Sequence, residues 1–300
     1  MRLLLVLSLL AQMPRGASPA FKSSTDLAVL HVSVVDKHAG FVRGLPRDAF
    51  VVYEDGRPQP IAFFANDDTP VSVGLVIDSS QSMFTRRDAV IAAGMAFAES
   101  SHPDDEMFTL NFNERIWPGL PDGQAFTSDH AELHGALNQS ASRGTTALFD
   151  AIRAGLLHLD GGVRPRKVLI VVSDGGDNAS RTRYQDVLDE ALKRDVVIYA
   201  VGIYDDDDRD AKPGVLRELA ASTGGEACFP RKLADVGPAL ERIARDIRSS
   251  YTIGYVPPDA AKASTRHIRV DVHPPGGRKL NVRARSGYVR DSAETRRDGR

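Results

Sequence analysis

Three short stretches of this 300-residue chain carry oxygen-bearing side chains in an order that suits a hard divalent cation. They are Asp78-Ser79-Ser80-Gln81-Ser82, Gly144-Thr145-Thr146 and Ser173-Asp174-Gly175-Gly176. Within them Asp78, Ser80, Ser82, Thr146 and Asp174 supply two carboxylates and three hydroxyls. Hard cations take such oxygens; magnesium builds a near-octahedral shell while keeping several waters, and manganese or calcium can take its place. The alternation of Asp78, Ser80 and Ser82 lets one turn aim three side chains at one point, with Ser79 and Gln81 turned elsewhere. Two carboxylates match the ion's formal charge, yet hydroxyls and waters fill the other positions. The ion therefore stays receptive to one more anionic ligand, and a carboxylate from a protein partner meets that need.

Such a site needs elements that bring three separated stretches to one place. Val73 to Ile77 and Val168 to Val172 are near-continuous β-branched and aliphatic runs, as expected of strands buried on both faces of a parallel sheet. Met107 to Phe112 and Val196 to Val201 read as further strands. Asp88 to Glu99, Ala147 to His158, Tyr184 to Lys193 and Leu233 to Ile247 place apolar residues at helical spacing. Strands alternating with helices predict an α/β fold with a doubly wound, mainly parallel sheet flanked by helices, over residues 70–249. In such sheets ligands bind beyond the carboxyl ends of the strands. The two aspartate loops leave those ends, and Thr146 stands just before a helix that reaches the same edge.

Outside this middle region the periodicity changes to two. Leu27 to Phe64 alternates apolar residues and breaks at Asp55-Gly56. Tyr251 to Val256, Arg266 to His273 and Leu280 to Tyr288 do the same around proline and glycine clusters. Each group is too small to close a core alone. A single smaller β module, a β-sandwich assembled from residues 25–69 and 250–290 with the middle inserted, is the simplest arrangement that gives every strand a partner; a separate C-terminal sheet is the alternative. Residues 291–300 form a charged tail.

Composition excludes several function classes. The chain carries 38 basic and 40 acidic residues, a formal charge of −2, which gives no global field for nucleic acid or an anionic membrane. One cysteine, Cys228, allows neither an intrachain disulfide nor a cysteine-based zinc site. Arg2, the apolar run Leu3 to Ala11 and the small residues Ala17 and Ala20 follow the order of a secretory signal peptide over residues 1–20. Export to the periplasm or beyond is expected, with no transmembrane segment left after cleavage. His130-Ala131-Glu132-Leu133-His134 lacks zincin spacing, and the acidic run Asp205 to Asp210 lacks that of an EF-hand, which leaves a helix surface and a solvated loop. Asn178-Ala179-Ser180 has the form of a glycosylation acceptor, relevant only in a eukaryotic secretory setting. No nucleophile elbow, phosphate loop or dinucleotide fingerprint is present, so no enzyme is expected.

The Asp-x-Ser-x-Ser element at Asp78 to Ser82, the threonine at Thr146 and the Ser-Asp-Gly at Ser173 to Gly175 together resemble the metal-ion-dependent adhesion site of von Willebrand factor type A domains. The resemblance spans about Pro70 to Ser249 and extends more weakly to the flanks, which look like those of exported bacterial proteins with this Rossmann-like domain. It implies that Ser80, Ser82 and Thr146 contact the metal directly in a ligand-binding state, while Asp78 and Asp174 act mainly through water. The expected function is adhesion-type binding of a protein's acidic group. Two alternatives stay open: a metal-dependent hydrolase at the same site, for which Ser79 and Gln81 are poor bases, and a scaffold whose metal only braces the loops.

Overall fold

In the computed structural model the described residues are 27–38, 40–66, 68–139, 144–205, 211–258 and 265–289. The expected signal peptide, the 291–300 tail and most of the acidic run lie outside them. The chain opens with five strands, β1 (Ala28–Asp36), β2 (Gly40–Phe41), β3 (Phe50–Glu54), β4 (Arg57–Gln59) and β5 (Ile61–Ala65). The middle follows as β6 (Val71–Asp78), α1 (Arg87–Ser100), β7 (Glu106–Phe112), β8 (Ile116–Pro118), α2 (His130–Asn138), α3 (Leu148–Leu159), β9 (Arg166–Ser173), α4 (Tyr184–Lys193), β10 (Val196–Gly202), α5 (Pro213–Thr223), β11 (Ala227–Cys228) and α6 (Val236–Ser249). Four strands close the chain: β12 (Tyr251–Tyr255), β13 (Thr265–Val272), β14 (Asn281–Arg283) and β15 (Gly287–Val289).

The central sheet has the order β11-β10-β9-β6-β7-β8. Pairings from β11 through β7 are parallel, and every residue of β6 is buried. Period-two alternation sends Val73, Leu75 and Ile77 toward a core shared with α1, α2 and α6, while Val76, Leu169 and Val171 face α3, α4 and α5. Helices therefore cover both faces. The parallel expectation needs one correction: β8 runs antiparallel to β7. The physical reason is length, because Asn113 to Arg115 make a tight turn, with Asn113 N–H donating to Arg115 O at 2.9 Å, too short for a crossover.

The two remaining sheets are antiparallel. One contains β14, β1, β12 and β5 with β2 attached to β1; the other has the order β15-β13-β3-β4. Strands from the two ends of the chain pair directly, Leu30 opposite Ile253 and Val52 opposite Val270. One apolar cluster draws on both sheets, including Leu30, Val32, Phe50, Val52, Tyr251, Ile253 and Val270. Leu280 to Tyr288, expected as one strand, splits into β14 and β15, which pair with β1 and β13 respectively. The turn between them lets one segment serve both sheets.

These sheets meet the α/β part through polar groups. Arg166, at the start of β9, donates to Ile247 O at 2.5 Å and to Ser250 Oγ at 3.1 Å. Arg283 pairs with Asp246 and, at 2.7 Å, with Glu226; Arg285 pairs with Asp195 at 3.0 Å. His31 lies buried beside Arg166 and Arg285. Burial first, and then the two guanidiniums, hold its imidazole well below its ordinary value.

Candidate metal centre

The loop after β6 is organised by its own aspartate. Asp78 Oδ1 accepts from Ser80 N–H at 2.9 Å, which turns the chain sharply as it leaves the sheet. Asp78 Oδ2 accepts from Ser173 Oγ at 2.6 Å, tying this loop to the end of β9. Residues Gln81–Arg86 then form a 3-10 helix leading into α1. Ser80 Oγ and Ser82 Oγ lie 3.2 Å apart, and Ser82 Oγ donates to Asp174 Oδ2 at 2.7 Å. Asp174 Oδ1 accepts from Gly176 N–H at 2.8 Å. Gly175 has φ +84°, and a Cβ there would come within 2.6 Å of Lys212 O, so the Asp-Gly pair is a backbone requirement.

Thr146 reaches this place through a second set of bonds. Its N–H donates to Asn178 Oδ1 at 2.8 Å, and its carbonyl accepts from Asn178 and Ala179 N–H at 3.0 and 3.1 Å. Gly144 O accepts from Gln81 N–H at 3.4 Å, which closes the threonine loop onto the serine loop. Ser80, Ser82, Thr146 and Asp174 line one cleft of about 400 Å³ together with Gln81, which was expected to face elsewhere. Asp78 sits beneath it, 3% exposed. The five oxygen-bearing side chains singled out in the sequence are thus gathered, four on the cleft wall and Asp78 under it.

Burial pushes the Asp78 carboxyl up to about 6; bonds from Ser173 and Ser80 oppose this, and the negative charge of Asp174 adds to it. Asp177 and Lys212 also line the cleft, and a cation bound between the two loops would relieve the burial penalty that Asp78 carries beside Asp174. The donor set agrees, since it holds only oxygens, two of them anionic groups, and no nitrogen or sulfur. Among the described residues no group of three or more His, Cys, Asp or Glu is gathered for a metal ion. The five-residue set contains two such residues, Asp78 and Asp174, with hydroxyls for the rest; Asp177, which also lines the cleft, is engaged at the start of α3. The residues present fit a hard divalent cation.

Several positioning residues escaped the sequence reading. Asp177 Oδ1 accepts from Leu148 N–H at 2.9 Å, capping α3 from another loop, and Asp150 accepts in return from Arg181 and Thr182 N–H. Asn178, noted only as a glycosylation form, is a staple for Thr146. Arg86 is buried and donates to Ser82 O, Ile203 O and Asp205 Oδ2 at 3.0, 3.3 and 2.6 Å, so it clamps the 3-10 helix to the end of β10. Apart from Ser82, four residues before Arg86, these partners lie 29 to 119 residues apart in sequence, and no local signal announces them. Glu132 of the zincin-like stretch accepts from Gln124 and Thr127 side chains at α2, a local structural role.

A family model described as von Willebrand factor type A domain matches residues 72–245. Among solved structures, a von Willebrand factor type A protein from Catenulispora acidiphila aligns over 93% of this chain and 78% of its own, at 15% identity and TM-score 0.53. Proximal thread matrix protein 1 from the mussel byssus, solved with a zinc-occupied MIDAS motif, aligns over 65% of this chain and 49% of its own, at 18% identity and TM-score 0.51. No curated protein matches the sequence.

Proposed function

Because this chain belongs to the von Willebrand factor type A domain family, whose members are generally protein-interaction modules, we propose that it is an exported, non-enzymatic adhesion module. Its cleft takes a divalent cation, magnesium in the first instance, as a metal-ion-dependent adhesion site. Asp78, Ser80, Ser82, Thr146 and Asp174 would hold the ion, and the ion would supply the positive charge that receives a carboxylate from a protein partner. The observation that carries this reading is the contact of Ser80 and Ser82 with each other and of Ser82 with Asp174, across two loops, in the cleft that Thr146 also lines. A related fold with a zinc-occupied MIDAS motif lends support.

The protein's own groups divide the work. Asp78 and Asp174 provide negative charge, and Ser173 and the loop N–H groups keep both carboxylates oriented. Ser80, Ser82 and Thr146 offer neutral oxygens that leave the site short of anionic ligands. Phe84, 64% exposed on the same 3-10 helix as Ser82, adds an apolar contact for a partner. Among the described residues no helix is long and apolar enough to cross a membrane.

Magnesium titrated against the purified protein, followed by thermal melting, tests the reading. Saturable stabilisation of about 2 to 3 kcal/mol at a hundredfold excess over Kd is expected, and none in Asp78→Ala. An identical response from the two proteins would overturn it. Capture of a carboxylate-bearing partner that survives chelation would point to the bracing scaffold, and phosphoester turnover lost in Asp78→Ala to the hydrolase.

A further inference from the structure

A second cleft, of about 1020 Å³, lies away from the metal loops and shares no residue with their cleft. Its walls come from three places: the β1–β2 turn, the connection leading into β14, and the outward face of α6. Val35, Phe41 and Leu280 give it an apolar floor. Around that floor stand Lys37, His38, Arg242, Arg278 and Lys279. Asp36 is the one acidic side chain on the lining, and it faces Arg278 at 3.6 Å. Arg242 pairs with Glu226 at 2.8 Å, but Glu226 also serves Arg283. Lys37 and Lys279 form no ion pair among the described residues.

Segments far apart in a chain of net charge −2 thus bring like charges together around an apolar surface, at a junction between structural parts, where ligand sites concentrate. The ligand chemistry follows from the two kinds of lining. A fully hydrated polyanion such as nucleic acid gains nothing from the Phe41 and Leu280 floor. A membrane needs a convex or flat surface, whereas this one is recessed between walls. An extended peptide with acidic side chains on one face and apolar ones on the other satisfies both linings.

We propose that the cleft between the β1–β2 turn, the segment before β14 and α6 is a binding site for an acidic, apolar-anchored peptide segment of a protein partner. It is independent of the metal cleft. The test uses a fluorescein-labelled peptide of alternating glutamate and leucine, titrated by anisotropy with the full chain in EDTA. Chelation removes any cation-dependent capture of carboxylates, so failure here leaves the metal reading untouched, and the reverse.

Saturable binding is expected, weakened about tenfold or more in Lys37→Glu/Lys279→Glu. Both lysines are exposed, so that variant should melt like the parent. A glutamate-serine peptide of equal length should bind at least several-fold more weakly, because it lacks the apolar anchor. Absence of saturable binding, indifference to the charge reversal, or equal binding of the glutamate-serine peptide would overturn the proposal. So would charge-reversal-sensitive co-sedimentation with phosphatidylglycerol vesicles in the absence of peptide binding, since that identifies a lipid surface.

Discussion

Asp78 shows how a residue proposed to hold a metal costs stability in the metal's absence. Its carboxyl is almost wholly buried and its value of about 6 lies above the ordinary carboxylate range. Between roughly pH 4 and 6 the folded protein therefore holds a proton that the unfolded chain has lost. This group's contribution is most favourable below pH 4 and declines as pH rises through about 6. Asp78→Asn keeps the acceptor for Ser80 N–H and removes the desolvated charge. We expect the metal-free variant to melt above the parent at pH 7, by as much as about 3 kcal/mol, and to lose its magnesium response. Calorimetry with and without magnesium checks both halves; a variant less stable than the parent would show that hydrogen bonds outweigh the charge.

At the scale of elements, the 3-10 helix of Gln81–Arg86 and the Asp174-Gly175 turn do most of the positioning. The helix holds Ser82 toward Asp174 and leaves Phe84 in solvent. Phe84→Ala should leave the magnesium shift in melting temperature unchanged while weakening partner capture several-fold in a pull-down, which separates metal binding from recognition. Gly175 is held at φ +84° against Lys212 O. Gly175→Ala is expected to destabilise the fold by about 1 to 3 kcal/mol and to weaken magnesium binding, because relief of the contact displaces Asp174. Melting and magnesium titration of the same variant report the two effects.

At the scale of the molecule, the antiparallel sheets are joined to the α/β part by a buried polar seam. His31, Arg166, Arg283, Arg285, Asp195, Asp246 and Glu226 contribute to it. Such a seam prefers one arrangement, because shifting it strands charges without partners. It also gives acid a point of attack. The imidazole of His31 is depressed in the fold, so below about pH 6.5 the unfolded chain binds a proton that the native state refuses. The stability from this group is complete above that pH and is lost as pH falls below it toward the depressed folded value. His31→Gln should melt with a shallower loss between pH 7 and 5 than the parent. Equal pH slopes in the two proteins would remove His31 as the cause.

Much of the α/β part is legible in the residues, because strands buried on both faces must be continuously apolar and helices must repeat near 3.6. Val73 to Ile77, Val168 to Val172 and Tyr184 to Lys193 follow those rules and form those elements. Helix α5 did not announce itself: the acidic run and Pro213 hide its start, and its apolar residues Leu216, Leu219 and Ala220 gain meaning only from β10 and α4 beside it. The types and loop positions of Asp78, Ser80, Ser82, Thr146 and Asp174 were readable for a similar reason, since strand ends of an open parallel sheet define one edge. What the tertiary structure alone decided was which groups hold them there. Asn178 under Thr146, Ser173 under Asp78 and Arg86 against Ile203 and Asp205 are contacts between distant segments. The chain's local periodicity encodes which residues are buried, but not which distant partner each buried polar atom meets.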